Sequence, residues 1–506
     1  MARWMVVALS LVACAQTVDQ APDAGARDAA SMPDASSFDA HLANDAPAND
    51  APGNDAFGND AFGADAGPNA SIFPLHVSSD TRHLVDRRGM PFLLQGDSPW
   101  ELLQNLSDAD TATYLDDRRS RGVNAILIEL VEHRFTPHTP AWANARGDLP
   151  FSNVDDFTTT QEDYFAHVDW VLQQAEARGI LALLVPAYIG FGCGDEGWCA
   201  EMRRNGVDRL TQYGMYVGRR YRNQANIVWV EGGDYTPSTT GSPSDLDLID
   251  AVARGITMGD GGAHLHTAHW ARGTRSGSVA GITFPLGLEA SYTAGPPSYP
   301  QLRADVAASR GVRPVFVIEN RYESEGSTTR LDLRAQMYQP ILVGAAGFFF
   351  GNDPLWFLGV SGDGNPAWSF GGGTASDWRA ALASPGMRDD VWAGVFFRAL
   401  AWETLEPDTT HVVMTSGYGT DGDVAYALAA ASPDGRLAVA YLPAMLSPTF
   451  DLSRFSAPID ARWYDPTTGV SSPAGTAIAN TGSRSFTPPG PNAAGEHDWA
   501  LVLSAH

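Results

Sequence analysis

Between residues 91 and 351 the chain repeats one pattern: a short, continuously apolar run, then a longer stretch with a single apolar face. The runs are PFLLQG (91–96), NAILIEL (124–130), ILALLVPAY (180–188), NIVWVEGG (226–233), HLHTAHW (264–270), GLEASY (287–292), RPVFVIE (313–319) and GAAGFFFG (344–351). A strand that is apolar without alternation is covered on both faces, the condition of a parallel sheet flanked by helices. The stretches between supply those helices. In YFAHVDWVLQQAEARG, Phe165, Val168, Val171 and Leu172 share a face and Gly179 marks the stop. The fold class expected is therefore α/β, a (β/α)8 barrel with its working face where strands run out into loops.

From about residue 405 the alternation ends. VAYALAAAS, RLAVAYLPA, ARWYDPTTG and HDWALVLSA have strand periodicity, separated by turn signals at Asp421-Gly422, Asp434-Gly435 and Thr468-Gly469. They predict a small all-β sandwich. The expected organisation is a leader at 1–14, a tether at 15–70, the barrel at 71–404 and the sandwich at 405–506.

The leader, MARWMVVALSLVACAQ, has Arg3 and then an apolar run too short to span a bilayer but suited to a secretory signal. It ends in Leu11-Val12-Ala13-Cys14, which resembles a bacterial lipobox. That resemblance implies an exported lipoprotein, lipidated on Cys14 and touching a membrane through the lipid alone; plain secretion is the alternative. Residues 15–70 hold ten Asp against one Arg, with a five-residue beat (NDAPA, NDAPG, NDAFG). Low hydrophobicity and like charge predict a disordered tether, and the prolines leave no fixed loop for a calcium repeat. In an exported chain Cys193 and Cys199, bracketing CGDEGWC, are expected to form a disulfide.

All 33 basic residues are Arg. Without lysine there is no Schiff-base chemistry, pyridoxal-phosphate linkage, Walker-A lysine or carbamylated metal bridge. A net charge of -26 argues against nucleic acid as a partner. No cofactor or metal is implied.

The predicted strands run out at Asp97, Glu132-His133, Tyr188, Glu231/Asp234, His269, Glu289/Tyr292, Glu319 and Asn352-Asp353. GDSPWELL, LVEHRF, GDEGW, NIVWVEGGDYTP, VIENRYE and GAAGFFFGNDPLW, in this order, resemble the DUF4038 or apiosidase-like glycoside hydrolase family. RWYDPTTG and DWALVL resemble the collagen-binding-type module that often follows it. The resemblance runs from about Phe73 to the end. It implies hydrolysis of a complex, plant cell-wall type polysaccharide or oligosaccharide, apiose in pectin side chains for some members. It also implies two catalytic carboxylates, Asp234 as acid/base after strand four and Glu319 as nucleophile after strand seven, with Glu231 the second choice of acid. Asn320 stands where many relatives have Pro. Trp100, Tyr188, Tyr235, Tyr322 and Trp356 are expected to offer sugar-binding faces, and Asp97, Glu132, His133, Glu231, His269 and Asn320 polar contacts.

Three rivals remain in view. A GDS esterase would use Ser98 with Asp408 and His411; a metal hydrolase would use His264, His266 and His269; a glycan-binding surface lipoprotein would cleave nothing.

Overall fold

The computed structural model describes residues 71–369 and 377–506. The expected leader, the Cys14 lipidation site and the tether lie outside the described residues.

Eight parallel strands form one sheet: β1 (Leu94–Asp97), β2 (Ala125–Glu129), β3 (Leu181–Val185), β4 (Ile227–Gly232), β5 (Leu265–His269), β6 (Glu289–Tyr292), β7 (Val315–Glu319) and β8 (Gly347–Phe350). Their order is β5-β4-β3-β2-β1-β8-β7-β6. The two free edges meet through a parallel bridge between His266 and Leu286, where the Gly287 N–H donates to the His266 carbonyl at 2.8 Å. The sheet is thereby a closed barrel. Its interior cluster draws Leu94, Leu127, Leu183, Val230, Ala290, Phe316 and Phe349 from seven of the strands, while Ile126, Ile128, Leu184 and Trp229 pack outward under the helices.

Two features differ from the expectation. The run at 91–96 divides: Pro91–Phe92 is the edge strand of a three-stranded antiparallel sheet with His76–Val77 and Leu84–Val85, and the barrel strand starts at Leu94. Proline lacks the N–H that an interior strand must donate, so the edge suits it. The helices α1 (Asp108–Ser120), α2 (Glu162–Ala177), α3 (Cys199–Tyr221), α4 (Asp245–Asp260), α5 (Tyr299–Ser309), α6 (Arg330–Leu342) and α7 (Pro385–Arg398) cover the barrel. The connection from β5 to β6, however, holds only a 3-10 turn at Ser276–Ser278. Its sequence, ARGTRSGSVAG, has no apolar period to bury. Ser276 fills the gap instead: its hydroxyl donates to the Ala268 carbonyl and accepts the Ala290 N–H, both at 2.8 Å, joining β5 to β6.

The C-terminal part is all-β, with a six-stranded antiparallel sheet and a three-stranded one enclosing Met414, Leu442, Phe450, Trp463, Trp499 and Leu501. The large sheet turns its other face to α6 and α7. There Tyr338, Phe396 and Phe397 share a core with Val439, Tyr441 and Tyr464, and the Tyr338 and Tyr441 rings stack at 4.9 Å. Arg334 on α6 is fully buried at this seam. It grips both oxygens of Asp498 (2.7 and 2.8 Å), reaches Asp389 at 3.0 Å, and also meets Glu496. Removing one partner of a buried ion pair strands the others. Arg334→Ala is expected to cost about 3–5 kcal/mol in urea unfolding, with barrel and sandwich melting in one transition. Separate transitions in the wild type would contradict the shared core.

Candidate active site

Strand parity decides which strand-end groups reach the barrel mouth, because successive side chains point to opposite faces. On β2, Ala125 and Leu127 face inward, and Glu129 continues that series. On β5 the inward series from Leu265 arrives at His269. On β1, Leu94 faces inward, so Asp97 faces out. Its carboxylate accepts hydrogen bonds from Tyr114 and from Arg118 on α1, each at 2.5 Å. On β4, Val228 and Val230 face inward, so Glu231 faces out and meets His266 at 2.9 Å. Neither Asp97 nor Glu231 is available to a substrate, and Glu231 is removed as a second acid. Parity would also turn Glu319 outward, after Phe316 and Ile318 inside. A register shift between Val317 and Glu319 corrects this, pairing Glu319 with Tyr292 and aiming its carboxylate into the mouth.

Asp234 reaches the same place by a different device. Gly232 and Gly233 have φ of 90° and 137°. A Cβ on Gly233 would lie 2.2 Å from the Tyr188 ring, and one on Gly232 2.4 Å from the Trp270 ring. Only glycine lets the chain turn between those rings.

The mouth holds a cavity of about 520 Å³ lined by Trp100, Tyr188, Asp234, His269, Tyr292, Glu319, Tyr322 and Trp356, among others. His269 stands at its centre. Its Nδ1 accepts the backbone N–H of Asp234 at 2.8 Å, which leaves Nε2 protonated and donating to Glu319 Oε2 at 2.7 Å. The ring is packed by Trp100 edge-on (centroids 5.4 Å apart) and by Tyr292 (5.0 Å). Tyr322 lines the cavity beside Glu319, and its phenolic oxygen accepts from Trp100 Nε1 at 2.8 Å. Burial, then the negative charge of Glu319, push the Asp234 carboxyl up to about 6, against opposing contributions from His269 and Arg272. Arg272 braces the wall by donating to Tyr292 (3.0 Å) and Glu325 (3.2 Å).

Four more residues expected at the substrate do not line the cavity. Glu132 turns Oε1 back onto the N–H groups of Arg134 and Phe135. His133 sits against Trp198 at 4.8 Å and bonds the Asp195 carbonyl at 3.0 Å. Tyr235 donates to Asp245 at 3.1 Å, and the Asn320 oxygen accepts from the Thr293 hydroxyl. Each is engaged by neighbouring groups and held away from the cavity.

Sequence reasoning missed Glu101, Glu129, Glu196, Arg272 and Glu325, all lining the cavity. Glu101 follows Trp100 in PWELL, and Glu129 ends β2, where the surrounding ILIEL disguised it as buried strand. Burial, then repulsion from Glu132, hold the Glu101 and Glu129 carboxyls well above their ordinary range.

The esterase and metal arrangements find no support in this geometry. Ser98 is buried, while His411 belongs to the sandwich, stacked on Tyr418 at 3.9 Å. His264 bonds Asp260 and His266 bonds Glu231, each at 2.9 Å, so the two imidazoles serve different acids. Cys193 and Cys199 form a disulfide, Cα atoms 5.3 Å apart, at the start of α3.

Residues 78–404 match the family model "Apiosidase-like, catalytic domain", and residues 407–504 match "Putative collagen-binding domain of a collagenase". No curated protein matches the chain. Among solved structures, one titled "Glycoside hydrolase" superposes with a TM-score of 0.72 at 20% identity, over 86% of this chain and 97% of its own. A glycoside hydrolase family 5 protein from Bacteroides vulgatus ATCC 8482 superposes with a TM-score of 0.71 at 21% identity, over 85% and 93%. At such identities these likenesses establish the fold.

Proposed function

The chain belongs to the apiosidase-like family of glycoside hydrolases, and from that premise we propose that it cleaves a glycosidic bond in a complex, plant cell-wall type polysaccharide by a retaining mechanism. Asp234 protonates the leaving oxygen while Glu319 attacks the anomeric carbon, giving a glycosyl-enzyme. Asp234, then ionised, takes a proton from the water that releases the sugar. The observation that carries this reading is the unequal environment of the two acids around His269. Glu319 accepts from His269 Nε2 at 2.7 Å, as a nucleophilic carboxylate held in its ionised form would. Asp234 has Oδ1 buried without a partner among the described residues and its acidity weakened, as a proton donor would have. Trp100, Tyr188, Tyr292 and Trp356 offer ring faces to a sugar in the same cavity.

An acid raised to about 6 is protonated below that pH, so kcat/KM is expected to fall as pH rises through about 6. Asp234→Asn should lose that limb and about 10²–10⁴-fold in rate, and Glu319→Gln should abolish turnover, read as reducing sugar released from plant cell-wall glycans. Wild-type rates in both variants would overturn the assignment, and binding without cleavage by the wild type would favour a surface glycan-binding protein.

We further propose export and lipidation at Cys14, supported by the apolar leader and the LVAC motif. Radiolabelled fatty acid should enter the wild type and not Cys14→Ser, which should leave the membrane fraction; equal labelling would contradict it.

A further inference from the structure

We propose that Glu101, Glu129 and Glu132 form a site for one divalent cation of the calcium class on the wall of the cavity. The three carboxylates offer ligand atoms that all lie within 4.8 Å of one another. The residues are 1%, 3% and 1% exposed, and the Oε2 atom of each is buried with no hydrogen-bond partner among the described residues. Three buried carboxylates this close together can all ionise only with a positive charge among them, which a bound cation supplies. Glu132 is held as a ligand is held. Two backbone amides, of Arg134 and Phe135, fix its Oε1 and leave Oε2 free.

The donor set selects the ion. All three ligands are carboxylate oxygens, which suit hard cations; zinc favours nitrogen and sulfur. A calcium ion about 2.4 Å from each oxygen spans ligands up to about 4.8 Å apart, whereas magnesium at about 2.1 Å needs a tighter octahedron. Glu101 and Glu129 line the cavity, so the remaining coordination positions open toward it, to water or to sugar hydroxyls. The site also ties together the segments carrying Trp100, since the Glu129 N–H donates to the Trp100 carbonyl at 2.8 Å and the Glu101 N–H to that of Trp356 at 3.3 Å.

The test is binding, independent of any activity. The full chain, stripped with EDTA, is titrated with calcium chloride by calorimetry, and its thermal midpoint is followed with and without the ion. The expected result is one saturable site, an upward shift of the midpoint, and loss of both in Glu132→Gln. Residues 15–70, with their ten Asp, are identical in wild type and variant, so any weak binding there cancels in the comparison. Should Glu132→Gln fail to fold, Glu129→Gln takes its place. No saturable calcium binding by the wild type, undiminished binding in the variants, or tighter binding of magnesium or zinc than of calcium overturns the proposal.

Discussion

One imidazole holds Asp234 and Glu319 in a fixed relation. Asp234 comes from the loop after β4 and Glu319 from the end of β7, three strands apart around the closed barrel. His269, from β5, takes the backbone N–H of one on Nδ1 and gives its Nε2 proton to the other. Because each ring nitrogen has a single role, the tautomer is set by geometry. Trp100 and Tyr292 pack the ring, so their contribution to the site is to stop it rotating as much as to face a ligand. The two carboxyls thus sit in unlike environments: burial and the Glu319 charge raise Asp234, while Glu319 takes the His269 proton.

Much of this scaffold was legible from residues alone. Eight apolar runs gave eight barrel strands because a strand buried on both faces has nowhere to place polar groups. Asp234, Glu319, His269, Trp100, Tyr188, Tyr322 and Trp356 stand together at the mouth, since the ends of parallel strands converge there. Asp97 and Glu231 were placed there too, and they lie outside the barrel. A string shows that an acid ends a strand; only the register shows which side it leaves on. Glu319 makes the same point in reverse, reaching the cavity through a bulge that no apolar pattern announces. The β5–β6 connection has no helix because its glycines and serines have no face to bury, which the repeat around it concealed.

The C-terminal sheets bear on stability more than on the chemistry. Their large sheet covers α6 and α7, whose apolar residues would otherwise be exposed, and Arg334 crosses the seam to Asp498 and Glu496. Buried charge of this kind fixes one arrangement of the two parts, because any other leaves acids unpaired. The family-level match over residues 407–504 is thus compatible with a module that completes the barrel's outer surface.

The most direct measurement is the state of the His269 ring, read by nitrogen NMR of protein labelled at histidine, with His269→Gln assigning the signal. The account predicts a bare Nδ1 and a protonated Nε2 at neutral pH, with the Nε2 signal perturbed when Glu319 is replaced by Gln. A proton on Nδ1, or a ring indifferent to that replacement, would contradict it.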